Sequence, residues 1–250
     1  MRVGIGNRVF APRGWAALAA CAAIAAALAL ANWQLGRARE QQALIDAFDR
    51  GLARTAVLGG GGVEALPRYH HVSVRGRYDP AHQVLIDNMP SSTGRAGYRV
   101  LTPFLRDDGG RRLLVDRGWV PLGLRRDVLP DVAVDAQPRT VAGRLDQLPV
   151  PGIRVGAADT PGDTRWPRVL LFPTVADLER ALGVPVEPRI LLLDADQPGG
   201  YERAWRPALE FPPERHLGYA VQWLALALAT LVVFVALSLE RAPAPESTRP

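Results

Sequence analysis

Two long apolar runs stand near the ends of the chain, and between them the hydrophobic positions change period. Trp15 to Leu35 carries no charged residue, and neither does Leu217 to Leu239, so each run reaches the ~20 residues that a helix needs to cross hydrocarbon. Arg13 and Arg37 bound the first; Arg215 and Glu240 bound the second. Beyond the first run, Ala38, Leu44, Ile45 and Phe48 form a partial apolar stripe, with Arg, Glu and Gln on the other face, which predicts a helix over Arg37 to Leu52. Gly59 to Gly62 then reads as a flexible connector. From Tyr69 the period is two: Val72, Val74 and Tyr78 alternate with His71, Ser73, Arg75 and Arg77, as on a strand with one buried face.

Further strands are expected at Gln83 to Asp87, Tyr98 to Phe104, Arg112 to Asp116, Thr140 to Leu145 and Arg189 to Leu193, with a hairpin turn at Asp108-Gly109-Gly110. Thr174 to Leu182 predicts a short helix, capped by Thr174, with Asp177 at its third position and Gly183 ending it. Several short strands and few helices give an α+β fold: two terminal transmembrane helices flank an extracytoplasmic domain on a mostly antiparallel sheet that can curl toward a barrel. The expected division is a tail at 1–14, a span at 15–35, a domain at 36–216, a span at 217–239 and a tail at 240–250. The middle segment, ~180 residues, suits one domain with its own core.

The first span has a second reading as a cleaved signal peptide, with Arg2, Arg8 and Arg13 as the basic segment and Ala29-Leu30-Ala31 as a cleavage site. Against it stand the length of the apolar run and Trp33-Gln34, which reads as an interfacial anchor. Two retained spans leave both termini on one side. Arginines near the membrane ends are balanced, so the short basic N-terminus is the better guide; it places the tails in the cytoplasm and the domain in the periplasm.

The net charge of +5 is distributed as interleaved Arg and Asp, as in Arg106-Asp107-Asp108, which is not the basic face that nucleic acid requires. Cys21 is the sole cysteine and lies in the first span, so an intramolecular disulfide and a thiolate metal site in the domain are excluded. His70, His71, His82 and His216 have no zinc-ligand spacing, and no Gly-x-Ser-x-Gly run supports hydrolase chemistry.

Helical projection of the second span aligns His216, Tyr219, Ala220 and Trp223. Tyr219 and Trp223 read as headgroup anchors or as walls of a site headed by His216. His216 itself is either an exposed or capping imidazole beside Arg215 or an axial ligand to haem iron. Gln222 lies inside the span and needs a partner, and Gln34 at the matching end of the first helix is the expected one. In the domain, Leu113 to Pro121 is the most distinctive run. It reads as a strand ending in a turn, with Asp116 and Arg117 paired on its rim, or as a partner-facing patch in which Arg117 and Trp119 make the contact.

In order, Asn32-Trp33-Gln34-Leu35-Gly36-Arg37, Gly76-Arg77-Tyr78, Tyr98 to Phe104, Val115 to Pro121 and His216-Leu217-Gly218-Tyr219-Ala220-Val221-Gln222-Trp223 make a combination that resembles the surfeit-locus family of cytochrome c oxidase assembly proteins. The resemblance covers nearly the whole chain. It implies a non-enzymatic factor in the bacterial inner membrane, its domain in the periplasm, that helps haem a reach the large catalytic subunit of the oxidase, with the machinery that makes haem a as a further partner. It also implies haem a ligation by His216. Arg203, Arg206 and Arg215 precede the second span and could meet haem propionates, or could be ordinary interfacial arginines.

Overall fold

The computed structural model describes residues 3–5, 8–51, 55–59, 61–123, 125–149, 165–207, 209 and 211–241. The elements run β1 (Val3–Ile5), β2 (Arg8–Phe10), α1 (Gly14–Arg50), β3 (Thr55–Val57), β4 (His71–Tyr78), β5 (Val84–Ile86), β6 (Gly97–Arg106), β7 (Arg112–Pro121), β8 (Arg139–Asp146), β9 (Arg168–Leu170), α2 (Val175–Leu182), β10 (Val186–Leu193), α3 (Pro213–Ser238) and β11 (Leu239–Arg241). They form two compact units, Met1–Ile45 with Ala208–Pro250, and Asp46–Pro207.

In the first unit, α1 and α3 are both long and apolar enough to cross a membrane. The separate helix expected at Arg37 to Leu52 is instead a continuation of α1 as far as Arg50; Leu52 lies outside the described residues. Gly36 alone costs about 1 kcal/mol in a helix, too little to break one with good helix formers on both sides. The tails also hold an antiparallel sheet in the order β1-β2-β11, which the sequence reading did not foresee. Such short strands have too few positions for an alternation to register. Phe10 meets Phe234 edge-on at 6.2 Å, tying this sheet to α3.

The second unit is built on a closed barrel. Its strands follow the order β4-β8-β10-β7-β6, and β6 pairs back onto β4 through Gly76↔Arg106 to Tyr78↔Phe104. All these neighbours are antiparallel except β10 and β7. The alternation read in the sequence fills the interior: Val72, Val74 and Tyr78 meet Phe104, Leu113, Val115, Val141, Leu145, Leu191 and Leu193. Gly76 and Gly143 fall at inward positions of β4 and β8. A Cβ on Gly76 would strike the Leu105 carbonyl, and one on Gly143 the Leu192 carbonyl, so both are places where strand meets strand too closely for a side chain.

A second apolar cluster lies on the outside of the sheet, where Leu101, Leu114, Ile190 and Leu192 are covered by Leu178 of α2 and by Val84, Ile86 and Leu170 of β5 and β9. α2 carries the expected capping box between Thr174 and Asp177 and ends at Gly183 with φ 68°. The hairpin turn between β6 and β7 contains Gly109 at φ 74°. Part of the glycine run is held rather than free, since the Gly61 carbonyl accepts from Arg106 Nη2 at 3.1 Å; Gly60 lies outside the described residues. Within this unit the last turn of α1 brings Phe48 edge-on to Tyr69 at 5.1 Å, with the Arg144 guanidinium 4.2 Å above its ring.

Candidate functional site

His216 sits in the first turn of α3. Pro212 caps that helix and Pro213 opens it, where a missing N–H costs nothing and the fixed φ suits the helix. The imidazole is buried, and its Nδ1 lies 2.7 Å from Gln34 Oε1 of α1. An amide oxygen only accepts, so the ring donates from Nδ1 and keeps its lone pair on Nε2. Nε2 is buried without a hydrogen-bond partner. In this tautomer it is a neutral Lewis base with an unused electron pair.

Around it is an open cavity of about 310 Å³, lined by Trp33, Gln34, Arg37, Phe211, His216 and Tyr219. The Phe211 ring stands edge-on to the imidazole, centroids 6.1 Å apart, and Arg215 lies over that ring at 4.8 Å. Arg37 pairs with Glu40 at 2.7 Å. The structure thus unites His216 and Tyr219 but leaves Trp223 out. Trp223 is half-buried two helical turns further along α3, about 10 Å away. The two spans do meet at Gln34, yet its partner is His216; Gln222 is exposed.

The Leu113 to Pro121 run differs from expectation in a way that strand geometry explains. Successive side chains point to opposite faces, so Asp116 and Arg117 cannot form a rim pair. Arg117 follows Leu113 and Val115 into the barrel and is only 2% exposed. There its Nε donates to the Gly199 carbonyl (2.7 Å), Nη1 to Gln83 Oε1 and the Val132 carbonyl (both 2.9 Å), and Nη2 to the Ala133 carbonyl (3.3 Å). Burial lowers its pKa, opposed by the Tyr201 and Tyr78 rings beside it. With its donors spent inside, Arg117 offers no surface to a partner or to a propionate.

Asp116 faces the other way, fully buried against Arg99. Burial pushes its carboxyl up, while the Arg99 guanidinium pulls it down. Gly118, at φ 114°, lies within β7 at a register shift against β6, between the pairs Arg99↔Trp119 and Leu101↔Asp116. A Cβ there would press on the Glu202 carbonyl, which accepts the Trp119 N–H at 2.8 Å. Trp119 donates its indole N–H to the Met89 carbonyl at 2.8 Å and lines a cavity of about 330 Å³ with Arg99, Trp205 and Arg206. Arg203 is no propionate clamp: it donates to the carbonyls of Asp194 (2.5 Å), Gln197 (2.8 Å), Ala195 (2.9 Å) and Tyr201 (3.2 Å).

The sequence model of the SURF1 family matches residues 21–228, which include most of both apolar helices and the whole barrel. The chain belongs to the SURF1 family. Among its relatives, an uncharacterized SURF1-like protein of Mycobacterium bovis is 30% identical over 225 residues, covering 86% of this chain and 80% of that protein. A SURF1-like protein of Monosiga brevicollis is 26% identical over 249 residues, 88% of each. One from Rickettsia conorii is 22% identical over 216 residues, 83% of this chain and 85% of the relative. SURF1 membership gives the chain a role in cytochrome c oxidase assembly.

Within this SURF1 chain, the sequence reading found the imidazole but missed Phe211 and Arg37 as walls of its cavity and misassigned the partner of Gln34. A signal for the last was available. Asn32 to Arg37 and the His216 run are the two ends of the same resemblance, and a polar side chain at the end of each span is most cheaply satisfied by the other.

Proposed function

We propose that this chain binds haem a at His216 and supports its delivery to the large catalytic subunit of cytochrome c oxidase. The observation that carries the reading is the Gln34-held imidazole, whose buried Nε2 has no protein partner. A buried nitrogen acceptor left unmatched is costly in a structural role, and it is the electronic state that axial ligation requires. His216 would hold the haem iron through that lone pair, and the iron would supply a Lewis-acid centre.

The other residues have roles that follow from their place in the cavity. Tyr219 and Trp33 offer aromatic faces to a flat macrocycle, Gln34 holds the ligand ring, and Phe211 lies where it limits access to it. Tyr219 and, deeper along the helix, Trp223 sit on the side of α3 that a farnesyl tail would follow into lipid. Arg215, exposed at the head of α3, is the arginine of this unit best suited to a propionate. The proposed setting is the bacterial inner membrane, with the barrel domain in the periplasm. The machinery that makes haem a is the natural donor to such a carrier.

His216→Ala should reduce the haem retained by the purified protein at least tenfold while the protein stays in the membrane fraction. Unchanged haem content in that variant rejects ligation. Trp119 supports a second element, contact with the oxidase through the domain, because it lines an open cavity on the barrel's outer face. A scaffold that never touches haem would lose oxidase co-purification in Trp119→Ala and keep it in His216→Ala.

A further inference from the structure

The cavity of about 330 Å³ on the barrel domain, which the reading above gives to contact with the oxidase and on which this inference rests, has chemistry that the haem site does not use. Two tryptophans and two arginines line it. Trp205 is fixed by donating its indole N–H to the Leu193 carbonyl at 2.7 Å, and Trp119 by its bond to Met89. The Arg99 guanidinium lies 5.0 Å above the Trp205 ring, and its Nε is buried without a hydrogen-bond partner. Arg206 is exposed and pairs with no carboxylate among the described residues.

The acidic groups nearby do not cancel this charge. Glu202, at the cavity wall, accepts from Ser92 Oγ at 2.9 Å and has its own cation in Arg95 at 3.6 Å. Asp116 pairs with Arg99 from the buried side, so Arg206 is the lining cation left without a carboxylate partner among the described residues. The volume falls at the low end of the roughly 300–1,000 Å³ of small-molecule sites, room for one side chain. Arg and Trp in a fixed pocket are also the residues that most often anchor a protein contact.

We propose that this cavity receives an acidic side chain from a protein partner of oxidase assembly, its carboxylate between Arg99 and Arg206 and its methylene stem against Trp119 and Trp205. The inference stands apart from haem ligation and survives its failure. It specifies the partner chemistry: an acidic residue on an exposed segment, with small neighbours that let it enter.

Fluorine NMR of the full chain, labelled with fluorotryptophan and held in nanodiscs, tests it. The six tryptophans are resolvable by single Trp→Phe changes. The probe is a capped Ala-Gly-Glu-Gly-Ala peptide and its Gln analogue. The Glu peptide should shift Trp119 and Trp205 and leave Trp15, Trp33, Trp166 and Trp223 unmoved, and the Gln peptide should bind roughly tenfold more weakly, the loss expected of one charge-assisted hydrogen bond. Arg206→Gln, chosen because the side chain is exposed, should lower Glu-peptide affinity to the Gln-peptide level. Equal shifts with both peptides, or none at Trp119 and Trp205 at millimolar peptide, overturn the proposal. Should Arg206→Gln alter folding, the Glu and Gln contrast on the unaltered protein decides alone.

Discussion

Arg117→Met separates a barrel-filling arginine from an interface arginine. Removing the guanidinium strands the carbonyls of Gly199 and Val132, now 2.7 and 2.9 Å from it, inside the barrel, while the Gln83 amide oxygen keeps the Thr102 hydroxyl as a donor at 3.0 Å. Each unmatched buried acceptor costs about 1–3 kcal/mol. Relief of a desolvated cation and the packing of the methionine offset part of this, which leaves a net loss of about 3 kcal/mol. For a domain of this size that is a fall in Tm of roughly 6–12 °C. Near-UV circular dichroism of the full chain in detergent measures it. Arg117→Lys should fall between, since one ammonium keeps the charge but cannot span acceptors on several sides of a planar fork. A Tm within about 1 °C of the parent, combined with loss of oxidase co-purification, would refute the reasoning and return Arg117 to the surface role read from the sequence.

Three further outcomes follow from the same geometry. Gln34→Leu leaves the His216 Nδ1 proton without its acceptor and frees the ring, so haem retention should drop roughly 10- to 100-fold, the usual cost of losing the group that orients a ligating histidine, as read by bound haem per protein. Thr174→Ala removes the α2 cap and should cost about 1 kcal/mol, or roughly 2–4 °C in Tm; because Thr174 holds the Asp177 carboxyl below its ordinary value of 3.8, that contribution is present above this pH and fades as pH falls through the lowered pKa. Asp116 has the opposite sign. Its raised pKa means that the folded state holds a proton the unfolded state has lost, so its contribution is full below 3.8 and is lost as pH rises through the folded pKa. The Tm of the parent minus that of Asp116→Asn should therefore decline with rising pH above 4 and level off, and a flat difference contradicts the assignment.

The parts of the fold that the sequence revealed are those where one local rule dominates. Alternation from Val72 to Tyr78 located β4 because one of its faces is wholly apolar inside the barrel, and Thr174, Asp177 and Gly183 marked α2 because cap chemistry is local. Barrel closure was only suggested. It depends on the β4 to β6 pairing and on Gly76 permitting close approach, neither of which has a periodic signature. At the site, a lone histidine at a membrane boundary was visible; the acceptor that makes it a Lewis base sits 182 positions away on another helix. Arg117 was misread because Asp and Arg adjacent in sequence look like a pair, whereas on a strand they are on opposite faces.

Resonance Raman spectroscopy of the full chain purified from a haem-a-producing host most directly tests the claim that His216 is a haem ligand. An iron–nitrogen stretching band that shifts on ¹⁵N-histidine labelling, and that is absent in His216→Ala with the protein still in the membrane, is the predicted result. A haem-loaded protein whose band is the same in His216→Ala would contradict it.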